Sequence, residues 1–313
     1  MNPAVTEDVG FGITRIDANY MAPGVACFYL VEGDGECAIV ETGTRHSVPA
    51  LQAALAERGL SAQQVRYVIP THVHLDHAGG AGAMMALFPE AELLAHPRGA
   101  RHLINPQKLI EGSRAVYGDE AFRALYGEIL PVDAARVIEV ADGDVVEFGG
   151  RALRIRHTPG HADHHFCVWD ARSRAWFSGD VFGVCYNWFR TPGGNFSMIS
   201  TTPTQFRPEA LKASLALLAE AGPETIYLTH FGPLPYSEQT RQGLLQQVDE
   251  YLEIAARCDG DSNAMAAEII ACSQRRVQAM NAGAEMNGMR DRFMHDAQLN
   301  AQGLAIWWQR AQQ

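Results

Sequence analysis

The segment Thr71-His72-Val73-His74-Leu75-Asp76-His77 places three imidazoles and one carboxylate within six residues. In an extended segment, side chains at i and i+2 project to the same side, so His72 and His74 can grip one cation together. Asp76 and His77 follow once the chain has begun to turn and can face a second ion. A solvated, histidine-rich loop accounts for one or two histidines; four donors at this spacing point to metal instead. Three later strand ends also carry a His or Asp beside glycine, where backbone can approach a buried ion. They are His157-Thr158-Pro159-Gly160-His161, Phe177-Ser178-Gly179-Asp180 and Leu228-Thr229-His230-Phe231-Gly232. Each alone reads as a turn or cap; together with the first loop they make a donor set.

These residues need strands to present them. Residues 65–69 form a short apolar, partly β-branched run directly before the first loop, and residues 81–88 read as a helix behind its Gly-Gly hinge. Upstream, 11–17, 25–31 and 37–41 read as strands, the last two joined by a hairpin-type turn at Glu32-Gly33-Asp34-Gly35. Glu41-Thr42-Gly43 then opens a loop, and a helix over 48–58 ends at Gly59. A strand at 92–95 follows. Over 106–130, Phe122, Leu125, Tyr126 and Ile129 repeat at helical spacing, which reads as a surface helix pair packed by that stripe, or as an insertion overhanging the metal loop that contributes Tyr117 or Tyr126 to a pocket; packing is expected for most of the stripe. Strands resume at 136–140, 145–148, 152–156, 165–169 and 175–177, then a helix at 208–221 and a strand at 225–228. This order predicts an α/β (α+β) fold with two similar half-sheets packed face to face. From residue 237 onward the texture is helical: Leu244, Val248, Tyr251, Leu252 and Ala255 form one stripe, 265–280 a second. Met286, Met289, Phe293, Leu304, Trp307 and Trp308 mark a third. Such stripes are core or subunit interface, so a lid or a homodimer contact through these helices is expected.

Composition narrows the partners. With 36 acidic residues against 25 Lys plus Arg, the chain carries a formal charge of −11. That disfavours a broad grip on nucleic acid or an anionic membrane and leaves a small-molecule substrate. The first ten residues include Glu7 and Asp8 and show no signal-peptide pattern, so a cytoplasmic location is expected. The six cysteines are scattered, lack CxxC spacing and read as buried thiols; Cys185 falls near the candidate site.

On the HxHxDH motif at His72 to His77, the HTPGH run ending at His161, SGD ending at Asp180 and THFG containing His230, the chain resembles the metallo-β-lactamase-fold hydrolases over residues 11–235. The resemblance implies an αββα sandwich with a helical insertion at 105–131, a catalytic domain over 1–236 and a C-terminal helical region over 237–313. It implies that His72, His74 and His161 hold one metal, that Asp76, His77 and His230 hold the other, and that Asp180 bridges them. Imidazole and carboxylate donors suit zinc, iron or manganese over calcium, and the absence of thiolate removes a chemical preference for zinc; zinc is the first expectation, with iron or manganese as alternatives. The reaction implied is hydrolysis by a hydroxide shared between two ions, with Asp76 and Asp180 as the catalytic carboxylates and Asp76 orienting the water or passing its proton. Thr71, Ser178 and Thr229 stand beside ligands and are expected to support them; His157 is expected to orient its loop.

The long aromatic stretch after Asp180 supplies candidate substrate contacts: Tyr186, Trp188, Phe189 and Phe196. An aromatic cluster that merely pins the loop is the competing reading. As a wall, it favours an ester, thioester or lactone of a partly apolar acyl group. The layout is similar to glyoxalase II and more so to the quinolone-signalling thioesterase of pseudomonads. A phosphodiesterase, a mononuclear iron sulfur dioxygenase and a non-enzymatic regulator with a vestigial site are the alternatives on the same fold.

Overall fold

In the computed structural model, residues 5–191, 193–201, 204–280 and 289–313 are described. The chain divides into two compact units. Met1–His157, His164–Gly179 and Glu224–Leu234 form the first; Thr158–Asp163, Asp180–Pro223 and Pro235–Gln313 form the second.

The first unit is built on two sheets. One holds β1 (Thr6–Asp8), β2 (Ile13–Asp17), β3 (Cys27–Glu32), β4 (Cys37–Val40), β5 (Val65–Ile69), β6 (Glu92–Ala95) and β7 (Val137–Glu139), in that order. Strands β1 to β4 form an antiparallel meander, and β4 to β7 run parallel. The other contains β8 (Val145–Phe148), β9 (Arg151–His157), β10 (Phe166–Asp170) and β11 (Ala175–Gly179). Past β12 (Arg190–Thr191) and β13 (Gly194–Asn195), a hairpin of the second unit, the same sheet is completed by β14 (Thr225–Leu228) and β15 (Gly232–Pro235). Its order is β15-β14-β11-β10-β9-β8.

The sequence explains which faces are covered. Strand β3 reads CFYLVE and is buried along its first five residues, as a strand covered on both faces must be. Strand β9 alternates, with Arg151, Leu153 and Ile155 inward and Ala152 and Arg154 outward. The sheets meet face to face through Tyr29, whose ring lies 5.2 Å from Phe177 and 5.3 Å from Tyr227. Arg151 ties them further: it pairs with buried Asp170 at 2.6 Å and donates to Phe11 O and Glu32 O. Removing one partner would strand the other charge in the core, at about 3–5 kcal/mol.

Helices α1 (Val48–Glu57), α2 (Leu75–Ala78), α3 (Ala81–Leu87) and α4 (Pro97–Ile104) follow the first strands. Leu51, Leu55, Met84 and Leu103 on these helices share one apolar cluster with Val68 and Leu93 of the sheet. Sequence patterning missed β1 and α4; the latter is short, opens on Pro97 and is capped by His96 Nδ1 accepting from Arg98 N. The helical stretch expected at 106–130 is a pair, α5 (Gln107–Tyr117) and α6 (Asp119–Tyr126), divided at Gly118 where φ is +78°. Phe122 and Tyr126 are buried there, with Leu125 and Ile129 packed against the same cluster.

The second unit holds α7 (Pro208–Glu220), the β12-β13 hairpin, α8 (Glu238–Arg257), α9 (Ser262–Met280) and α10 (Met289–Ala311). The α8 stripe is buried at Leu244, Val248, Tyr251 and Ala255, with Leu252 half-buried. Phe293 and Leu304 are buried, whereas Trp307 and Trp308 are half-exposed. Met286 and the Met289 side chain lie outside the described residues. Among the described residues, no helix is long and apolar enough to cross a membrane.

Candidate metal centre

Glu41 closes β4 in the left-handed region, with φ of +66°. A side chain there costs roughly 1–2 kcal/mol, so the position must be held by contacts. It is: the carboxyl group is buried and accepts from Thr71 N at 3.0 Å, Thr71 Oγ1 at 2.6 Å, His77 Nδ1 at 2.9 Å and Thr229 Oγ1 at 3.0 Å. Sequence reasoning placed Glu41 where a strand ends and a loop opens, with no role in the site. The available signal was an acid directly behind the wholly buried run Cys37–Val40, where a carboxyl group must find donors. Thr71 and Thr229, expected to support ligands, do so through Glu41. Ser178 is buried, with its hydroxyl 3.4 Å from Gly179 O.

The hydrogen bonds set which ring nitrogens are bare. His77 donates from Nδ1 to Glu41, and His230 donates from Nδ1 to Val25 O at 2.8 Å. Thr71 Oγ1 spends its proton on Glu41 and therefore accepts from His72 Nδ1 at 3.1 Å. Each of the three rings then carries its proton on Nδ1 and leaves Nε2 unprotonated. His77 Nε2 and His230 Nε2 lie 3.3 Å apart, and Asp76 Oδ2 is 3.8 Å from the first and 3.4 Å from the second. A cation between them would satisfy all three atoms. His72 Nε2 faces His74 Nδ1 at 2.8 Å. His74 is the last extended residue, with φ −62° and ψ 146°, and α2 begins at Leu75, so Asp76 and His77 are carried on a helical turn, the His77 ring staying 4.0 Å from that of His72. The donor set of the first unit thus fits transition-metal ions.

Glycine is required where the SGD motif passes the site. Gly179 has φ of +48°, and a Cβ there would lie 2.4 Å from His165 Nε2 and 2.5 Å from Thr71 Oγ1. His164 and His165 are buried behind the ligand loop, the His164 ring stacking on His72 at 6.1 Å. His157 donates from Nε2 to Val140 O, which anchors its turn as expected. The insertion's tyrosines also neighbour the loop. Burial pushes the Tyr117 and Tyr126 phenols above their ordinary range, and the Asp76 charge adds to both shifts.

In the second unit, His161 Nε2 lies 3.5 Å from Asp180 Oδ2, with Nδ1 donating to Ser200 O at 3.1 Å. His161 therefore also presents Nε2. The four aromatic candidates sit differently from one another. Phe189 and Phe196 are fully buried and pack on Phe293 of α10, at 4.7 and 5.9 Å between centroids. Tyr186 donates to Asp296 Oδ1 at 2.9 Å and stacks on Trp188, which is half-buried. Burial against α10 is the geometry of rings that pin a loop, and it leaves Trp188 as the most accessible of the four. Cys185 is buried and its thiol is pushed up to about 11 by that burial; all six cysteines are free thiols.

Comparison with known proteins agrees with this geometry. The family model for the metallo-beta-lactamase superfamily matches residues 23–230. The metallo-beta-lactamase fold-containing protein ST1585 of Sulfurisphaera tokodaii is 26% identical over 214 residues, covering 67% of this chain and 74% of that protein. The acyl-coenzyme A thioesterase MBLAC2 of Bos taurus is 30% identical over 56% of this chain, a match that spans 65% of the thioesterase's length. A hydroxyacylglutathione hydrolase of Francisella philomiragia is 27% identical over 36% of this chain and 32% of its own. Among solved structures, that of ST1585 superposes with a TM-score of 0.65 at 22% identity, covering 94% of this chain and 98% of that one. A metallo-beta-lactamase family protein from Thermus thermophilus, TTHA1429, gives 0.63 at 24%, covering 96% and 93%. The chain belongs to the metallo-beta-lactamase superfamily and, as a member, is a metal-dependent hydrolase.

Proposed function

We propose that this protein hydrolyses a thioester, or a related ester or lactone, of a small, partly apolar acyl group, with two divalent transition-metal ions bound. The observation that carries the reading is the pair of imidazoles, His77 and His230, whose Nδ1 atoms are tied back and whose Nε2 atoms face each other and Asp76. On the family motifs, His72, His74 and His161 would hold one ion, Asp76, His77 and His230 the other, with Asp180 shared. When bound, the ions supply a water acidic enough to attack at neutral pH and polarise the scissile carbonyl.

The chain's own residues do the rest. Glu41 and Thr71 fix the rings, so the donors are pre-aligned and little reorganisation accompanies each turnover. Asp76, more exposed than the histidines around it, is placed to take the proton of the attacking water and return it to the leaving thiolate or alkoxide. Trp188 offers an apolar surface to the acyl group, and Tyr186 holds that ring in place by stacking. The thioester preference is supported by two relatives whose names denote acyl groups carried on coenzyme A and on glutathione. Zinc is the first choice of metal, with iron or manganese next. A small-molecule substrate and a cytoplasmic site of action are part of the same reading.

The test is hydrolysis of an acyl-coenzyme A series on protein of known metal content. Chelator-sensitive turnover that varies with acyl length is the expected result. Two bound ions with no turnover of any thioester, ester or lactone would overturn the substrate class.

A further inference from the structure

Residues 197–201 form a strap in the second unit whose backbone is gripped by two buried amide side chains. Gln247 of α8 accepts from Ile199 N at 3.3 Å and donates to Ser197 O at 2.8 Å. Asn300 of α10 accepts from Thr201 N at 2.6 Å and donates to Ile199 O at 3.0 Å, while Thr201 Oγ1 donates to Asn300 O at 2.8 Å. Both amides are 3% exposed. Met198 is fixed separately, exchanging two hydrogen bonds with Val184. Asn300 thus holds the residue on each side of Ser200, and Ser200 O is the acceptor for His161 Nδ1 at 3.1 Å.

We propose that Asn300 and Gln247 are positioning residues for the metal centre: through the strap they fix Ser200 O, which holds His161 with Nε2 presented to an ion. This rests on the reading of His161 as a ligand. A buried amide is costly unless all its groups are paired, and helix packing alone is served better by leucine. Here all four bonds named for the two side-chain amides end on strap backbone, so the polarity is used to place a chain segment. The C-terminal helices then set metal affinity from a distance, without contributing a ligand.

The experiment is a zinc competition titration against a chromophoric chelator, on metal-free wild type, Asn300→Leu and Gln247→Met. Wild type should take up two ions. Each variant should lose about 10- to 100-fold in affinity at one site, the usual effect of removing a ligand's support, and keep the other. Thermal unfolding of the metal-free proteins identifies the folded variants; Gln247→Met removes only one grip and keeps the test open should Asn300→Leu not fold. Leu244→Ala, a core truncation on α8, is the control: it should lower thermal stability yet leave both affinities as in wild type. Folded variants with wild-type affinity at both sites, or an equal loss in Leu244→Ala, would overturn the proposal. A wild-type chain that binds no ion would remove the metal reading itself, and the proposal with it.

Discussion

The two units hold their histidines by different means. In the first, one acidic side chain serves two of the rings: Glu41 binds His77 directly, steadies His72 through Thr71, and reaches Thr229 beside His230, whose own Nδ1 rests on Val25 O. In the second, His161 leans on a backbone carbonyl whose position depends on amides about 50 and 100 residues further along the chain. A side-chain anchor beside its ligands is robust to distant change. A carbonyl anchor is only as firm as the segment that carries it, and for His161 that segment is the strap held by Asn300 and Gln247.

Mutations sharpen this contrast, beginning with those that remove a ligand. His72→Ala and Asp180→Ala should each abolish hydrolysis, more than 1,000-fold in kcat/KM, with far-UV circular dichroism unchanged; about 10³-fold corresponds to about 4 kcal/mol of transition-state stabilisation. Activity surviving in either would exclude that residue from the centre. Next is the anchor. Glu41→Gln keeps the shape but turns one acceptor oxygen into a donor facing Thr71 and His77, and should lower zinc affinity about 10- to 100-fold. Because Glu41 serves more than one ligand, both sites should weaken, in contrast to the single-site loss expected for Asn300→Leu. Weakening of one site only would erase the distinction between the units.

How much of this was legible in the sequence follows from the same contrast. The candidate ligands could be picked out because their types and spacing are local: His72 and His74 alternate on an extended segment, and α2 begins at Leu75. Strands β5, β6, β8 and β14 were also legible to the residue, being short apolar runs bounded by turn formers. The supports were not legible. Glu41 looks like any loop acid until the fold brings residues 71, 77 and 229 around it. Asn300 looks like a polar interruption of an apolar stripe until Thr201 arrives from 99 residues away. The aromatic run after Asp180 was ambiguous for another reason: ring content does not say which rings face inward. Phe189 and Phe196 turn into the packing around Phe293, and Trp188 does not.

That split yields the next prediction. Phe189→Ala should act on stability, costing about 3–5 kcal/mol and lowering Tm by roughly ten degrees or more. Trp188→Ala should leave Tm within a few degrees while changing the ratio of kcat/KM between long and short acyl chains several-fold. A reversed pattern would make Phe189 the substrate contact. The smallest effect concerns the thiols. With Cys185 pushed up to about 11, iodoacetamide at pH 7.5 should label half-buried Cys258 first and leave Cys185 unmodified in folded protein, as peptide mass mapping would show.

The most direct test of the account is metal stoichiometry by elemental analysis, on protein purified without an affinity metal column, with thioester hydrolysis measured on the same preparation. The account predicts about two transition-metal ions per chain and turnover that falls as a chelator removes them. One iron per chain, with oxygen uptake on a persulfide and no hydrolysis, would contradict it.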